Sequence, residues 1–312
     1  MATKAEKNKT KRWLFWFLGF VFLILLTLFA YLFFLKKTNQ PVGQTPVSRD
    51  SSGRLVVTTA SFPVFEFARI VGGDQVAVSL VLPPSVELHS FRPTAETLAE
   101  IEQSALFLYT SDILEPWASE LKTVNKVAVG AGLESSDNDP HVWLDFSLAA
   151  VMVERVKDAY QELDPAFAAD YEARAAAYQK ELEQLDQEFV AGLSDCRWRD
   201  LIVAGHDTFA YLARRYNLNY QALQGFVPDD SVNAELVLTL SDELKTSGQP
   251  YIFFEELIMP YLGSLMRRGA GVELLALNAA HNVGRFDPIS GVTFLSLMRN
   301  NLESLRMGLD CR

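Results

Sequence analysis

The 312-residue chain reads as an α/β protein of two lobes. Each lobe is a mostly parallel sheet flanked by helices, a long rigid spine helix joins them, and an N-terminal transmembrane helix precedes them. Three observations predict this. Short β-branched or apolar runs alternate with amphipathic stretches. One long segment of helical period interrupts the alternation, and 23 consecutive uncharged residues stand near the N-terminus.

The uncharged run is Trp13–Leu35. As a helix rising about 1.5 Å per residue it measures about 35 Å, enough to cross a hydrocarbon core of roughly 30 Å. It ends in Phe33, Phe34 and Leu35 rather than in the small residues of a signal-peptide cleavage site, so it is expected to stay as an anchor. Five basic residues precede it and two follow. That bias places residues 1–12 in the cytoplasm as a basic tail and everything beyond Leu35 on the extracytoplasmic face. Residues 36–53 are polar and rich in Pro, Gly and Ser, the composition of a flexible tether.

The N-terminal lobe is expected over residues 54–163. Strands are predicted at 55–60, 76–83, 105–110 and 126–131. Helices are predicted at Phe62–Ile70, stopped by Gly72 and Gly73, at Thr94–Gln103 with Thr94 as cap, and at Glu115–Leu121. The spine follows at 164–193, with Asp164 as its cap and Pro165 in its first turn. Phe167, Tyr171, Ala175, Tyr178, Leu182, Leu185 and Phe189 recur at steps of three and four and form one apolar stripe. A single helix of about 40 Å between lobes resists the wide opening that loop hinges allow. The C-terminal lobe, 194–312, has strands at 201–205, 251–256 and 272–278. Its helices are expected at Asp207–Tyr216, Val232–Leu244, Pro260–Arg268 and Thr293–Leu309.

Charge narrows the function. The chain carries 28 Lys+Arg and 39 Asp+Glu, and residues 1–37 hold seven of the basic residues but one acid. The body is therefore strongly acidic, which argues against nucleic acid as a partner and favours small cations. The two cysteines, Cys196 and Cys311, are too far apart in sequence for a metal clip. Outside the membrane they are expected to form a disulfide that pins the C-terminal helix; two separate thiols are the alternative.

Only four histidines occur: His89, His141, His206 and His281. Each follows a predicted strand, two in each lobe, and parallel α/β sheets bind ligands beyond the carboxyl ends of their strands. Neutral imidazoles suit zinc, whereas carboxylates and water suit harder ions such as manganese. Asp139, Asp207 and Glu255 are candidates to orient the imidazoles from behind. Helix capping or a surface charge is the alternative for each acid.

At these residues the chain resembles the metal-binding (zinc or manganese) solute-binding proteins of bacterial ABC importers. The motifs PPSVELHSFRPT, NDPHVWLD, AGHDTFAYLARRY and LNAAHNV stand in family order, FFEE and LMRNNLESLRMGL also fit, and the likeness runs from about residue 54 to 309. It implies metal coordination by His89, His141 and His206. His206 favours zinc, because manganese-type members usually carry a carboxylate there. His281 occupies the fourth position, commonly an acid, and is a departure from the pattern. The stretch ESSDNDP lacks the histidines of a metal-gathering loop.

The resemblance implies a non-enzymatic, monomeric protein. It would capture Zn2+ in an interlobe cleft outside the cytoplasmic membrane and deliver it to a permease and, through that, to an ATPase. Three alternatives stand beside it: a manganese or iron carrier of the same family and, in other classes, a zinc hydrolase or a metal-stabilised adhesin. A hydrolase needs a general base at an open metal position, and no HExxH motif occurs.

Overall fold

A computed structural model describes residues 47–134, 138–224, 234–255, 267–284 and 291–312. The expected basic tail, transmembrane anchor and most of the tether lie outside the described residues, as does nearly all of the helix expected at Pro260–Arg268. Among the described residues no helix is long and apolar enough to cross a membrane.

The N-terminal half is a four-stranded sheet of β1 (Leu55–Thr59), β2 (Val76–Leu80), β3 (Leu106–Tyr109) and β4 (Asn125–Ala128), in the order β2-β1-β3-β4. All pairings are parallel. The strands are short and rich in β-branched and aromatic residues, and Leu55, Val57, Phe107 and Leu108 are fully buried, as expected when helices cover both faces. Helix α1 (Phe62–Gly72) follows β1, and the Gly73 N–H closes it onto the Arg69 carbonyl at φ 53°, a conformation glycine adopts without penalty. Helix α2 (Ala95–Ile101) starts where Thr94 accepts from the Thr97 N–H. The helix expected at Glu115–Leu121 is a 3-10 turn, Pro116–Glu120.

Two antiparallel helices come next. Helix α3 (Phe146–Leu163) has no counterpart in the expected scheme, although Phe146, Ala149, Met152, Val153, Val156, Ala159 and Tyr160 are its buried face and recur at helical spacing. Asp145 caps it by accepting from the Ser147 N–H. Helix α4 (Ala168–Gly192) is the expected spine, with Tyr171, Ala175, Tyr178, Leu182, Leu185 and Phe189 buried. Its start differs from expectation. Pro165–Phe167 form a 3-10 turn and Phe167 is exposed. Asp164 makes no side-chain cap; instead it is buried, pairs with Arg49 at 2.9 Å and accepts from the Tyr171 hydroxyl. A buried carboxylate is better compensated by a guanidinium than by one backbone N–H, so the ion pair takes the residue away from capping.

Helix α4 touches both halves. Arg174 donates to the Val71 and Gly72 carbonyls at the end of α1. About 18 Å further along, Asp186 accepts from Arg215 and Tyr216.

The C-terminal half repeats the first sheet. Strands β5 (Asp200–Ala204), β6 (Asn219–Ala222), β7 (Tyr251–Glu255) and β8 (Glu273–Leu277) pair in parallel in the order β6-β5-β7-β8. Helices α5 (Ala210–Arg215) and α6 (Ala234–Ser247) separate them, and α7 (Phe294–Gly308) closes the chain behind a capping box of Thr293 and Ser296. Strand β6 was not expected. It is a four-residue edge strand, NYQA, with none of its residues buried, so it lacks the apolar signal of the other strands. The expected helix Asp207–Tyr216 begins later, at Ala210. Cys196 and Cys311 form a disulfide that ties the end of the chain to the entry of β5.

Candidate metal centre

In both sheets the first strand connects to one neighbour and then to the other side, so each sheet has a switch point beside β1 or β5 where loops part and leave a crevice. The four histidines lie on loops at these carboxyl ends. His89 stands between β2 and α2, His141 between β4 and α3, His206 two residues after β5, and His281 four residues after β8. Each offers one ring nitrogen, and these four atoms all lie within 4.8 Å of one another. Nε2 of His89 and His141 are 3.2 Å apart. His141, His206 and His281 are buried, and His89 nearly so.

Local chemistry sets each ring. Asp139 Oδ1 accepts from both the backbone N–H and Nδ1 of His141, at 3.0 and 2.7 Å. Glu87 does the equivalent for the first loop: Oε1 lies 2.7 Å from His89 Nδ1, and Oε2 accepts from the Ser90 N–H. With the outer nitrogens turned to carboxylates, Nε2 is the atom each ring presents inward. Glu255, the last residue of β7, serves two rings at once, with Oε2 2.6 Å from His206 Nδ1 and Oε1 3.1 Å from His281 Nδ1. The Thr208 hydroxyl lies 2.6 Å from His206 Nε2. His281 Nε2 is buried and makes no hydrogen bond among the described residues.

The His281 loop is shaped by a relay of amides. Asn301 on α7 bonds both the N–H and the carbonyl of Asn278, and the Asn278 side chain accepts from the Ala280 N–H. This holds Ala280 at φ 57°, a left-handed conformation that costs a non-glycine residue about 1–2 kcal/mol.

Burial, with the neighbouring imidazoles, keeps two of the rings, His141 and His281, neutral. It pushes His141 far below the ordinary histidine value and His281 down to about 4 despite Glu255. Proton competition for His281 therefore begins well below the pH of about 6.5 expected of a free imidazole. Burial works against ionisation of Glu255, but His206 and His281 outweigh it and hold the carboxyl below its usual range. Burial raises Asp139 to about 7, with the Asp207 charge adding to the rise.

All four expected histidines thus converge, and Asp139 and Glu255 stand behind them. Asp207 is placed against the Tyr220 hydroxyl and near Asp139. Sequence reasoning missed Glu87. Its signal was available, because Glu87 precedes His89 by the same two residues that separate Asp139 from His141. Four imidazoles facing one point, with no carboxylate among the inward atoms, make a donor set that suits zinc better than manganese, calcium or magnesium.

Residues 56–308 match the family described as ZnuA, zinc-uptake complex component A, periplasmic. The zinc-binding protein AdcA of Streptococcus pyogenes serotype M3 is 29% identical over 294 residues, covering 83% of this chain and 57% of that protein. This chain thus spans little more than half of that relative's length. The high-affinity zinc uptake system protein ZnuA of Bacillus subtilis is 28% identical, with 86% and 92% covered. Among solved structures, the Zn(II)-bound ZnuA-like domain of Streptococcus pneumoniae AdcA superposes with a TM-score of 0.73 at 30% identity, covering 83% of this chain and 100% of that one.

Proposed function

Because this chain belongs to the ZnuA family of zinc-uptake components, we propose that it captures Zn2+ with His89, His141, His206 and His281 and hands it to the permease of an ABC importer. The observation that carries the reading is the convergence of four imidazole nitrogens within 4.8 Å. The acidic body raises the local cation concentration, and the imidazoles then replace the ion's water shell. Glu87, Asp139 and Glu255 act from behind, each holding an imidazole in the tautomer whose unprotonated nitrogen is turned inward. Asp207 acts through Asp139.

The reading is capture and not catalysis. A zinc hydrolase keeps an open metal position with a general base beside it. Here the nearest carboxylates are committed to imidazole nitrogens, and a fourth histidine fills the remaining position. The protein acts as a monomer on the extracytoplasmic face, anchored by residues 13–35 with residues 36–53 as tether. The permease, and through it the ATPase, accepts the metal when it favours a state that binds zinc less well.

Competitive titration with zinc and manganese against a chromophoric chelator tests this, run beside His281→Ala. One-to-one zinc binding that weakens in the variant, with manganese excluded, is expected. Equal weak binding of both metals, indifferent to the variant, would overturn the assignment.

A further inference from the structure

The loop that carries His281 belongs by sequence to the C-terminal half, yet its hydrogen bonds run to the N-terminal half. Trp143 Nε1 donates to the Ala279 carbonyl at 2.8 Å. The Phe62 N–H donates to the His281 carbonyl, and the Ser85 N–H to the Val283 carbonyl. Between them stands Asn282, 1% exposed. Its Nδ2 donates both hydrogens across the cleft, to Pro83 O at 2.7 Å and Val86 O at 2.8 Å. Its Oδ1 accepts from the Val283 N–H. Three of the four hydrogen-bonding positions of this amide are thereby used, and no other side chain type of that size offers two donors and an acceptor in one plane.

Asn282 is adjacent to His281, and the two carbonyls it grips belong to the turn that leads, three residues later, to His89. The His89 and His281 rings stand 5.2 Å apart. We propose that Asn282 is a positioning residue that clamps the His89 loop to the His281 loop, holding the two halves closed before metal arrives and setting how fast metal leaves. The metal clause rests on the zinc-capture reading; the closure clause does not. The Asn282 amide is buried, and its two bonds to Pro83 and Val86 are direct and part-buried, so opening the cleft leaves two carbonyls and an amide to be rehydrated together. Dissociation of the ion must wait for that event, whereas entry along a path that leaves the clamp closed need not.

The test uses the full 312-residue chain with spin labels at Lys122→Cys and Lys245→Cys, one exposed site on each half; the native cysteines are both in the disulfide. Asn282→Asp keeps the shape and the acceptor but removes both donors. In the metal-free unsubstituted protein a narrow interlabel distance is expected, broadening in Asn282→Asp. Loss of two part-buried hydrogen bonds should raise the rate of zinc release to excess chelator on the order of tenfold, with one-to-one stoichiometry kept. Trp143→Phe, which removes the Ala279 hydrogen bond and trims the ring packed against His141 and His281, is expected to move both readouts in the same direction by less, and replaces Asn282→Asp should that variant not fold. A metal-free distance distribution equally broad with and without Asn282, or an unchanged release rate, overturns the clamp. Should the unsubstituted chain bind no zinc, the capture reading falls, and the distance comparison alone decides for or against the clamp.

Discussion

Nε2 of His89 lies 3.2 Å from Nε2 of His141, although 52 residues separate them. Zinc–nitrogen bonds of about 2.0–2.1 Å in a tetrahedron require neighbouring nitrogens about 3.3–3.4 Å apart. The two N-terminal imidazoles therefore stand at the edge length that a tetrahedral zinc shell would need. Their outer nitrogens are fixed by Glu87 and Asp139, so little ordering remains for the ion to impose.

Removing the shared carboxylate should hurt more than removing a single one. Glu255→Gln withdraws the anionic acceptor from His206 and His281 together and is expected to lower zinc affinity about 10- to 100-fold. Asp139→Asn affects His141 alone and is expected to cost less. Competitive titration of both variants checks the order; equal losses would mean that Glu255 orients one ring only.

Stability should fall with rising pH through Glu115. This carboxyl is fully buried, and burial raises it to about 7 from an ordinary value of 4.5. Between those pH values the folded chain holds a proton that the unfolded chain has released, so unfolding is favoured as pH rises. The loss reaches about 3 kcal/mol by pH 7 and then levels off. Glu115→Gln keeps the acceptor for the Ser111 N–H and should flatten the profile. Urea denaturation of both proteins at pH 5 and 7.5 measures it; parallel profiles would sink the assignment.

The disulfide should matter for folding and not for metal. Cys196 and Cys311 are 115 residues apart, so replacing both by serine is expected to cost about 2–5 kcal/mol. The bridge lies beyond the start of β5 and His206 beyond its end, so zinc stoichiometry should stay unchanged. Thermal unfolding and zinc titration of the double variant report the two effects separately.

Helix α7 sits on the second sheet through a glycine. A Cβ at Gly308 would stand 2.5 Å from Phe253 Cζ and 3.0 Å from Leu275 Cδ1. Phe253 is fully buried and has nowhere to turn. Gly308→Ala is expected to destabilise by about 1–3 kcal/mol despite alanine's better helix propensity, and a melting temperature equal to that of the unsubstituted chain would show that the helix shifts freely.

The strand–helix alternation, the spine stripe from Tyr171 to Phe189 and the four histidines beyond strand ends were legible in the sequence by itself, because period and strand polarity are local properties. Three features were not. Edge strand β6 is four residues long, with only Tyr220 and Ala222 on its half-buried face, too little apolar character to signal a strand. Asp164 has the look of a cap, and only the arrival of Arg49 from outside the helix makes it an ion-pair partner. Glu255 was legible as a candidate to stand behind an imidazole, but nothing in its neighbours says that it will face two of them. Tertiary structure alone decided that the four rings meet at one point and that Asn282 spans the two halves. Those are relations between segments 50 to 200 residues apart, set by how two sheets and a helix pack, and no local pattern encodes the distance between them.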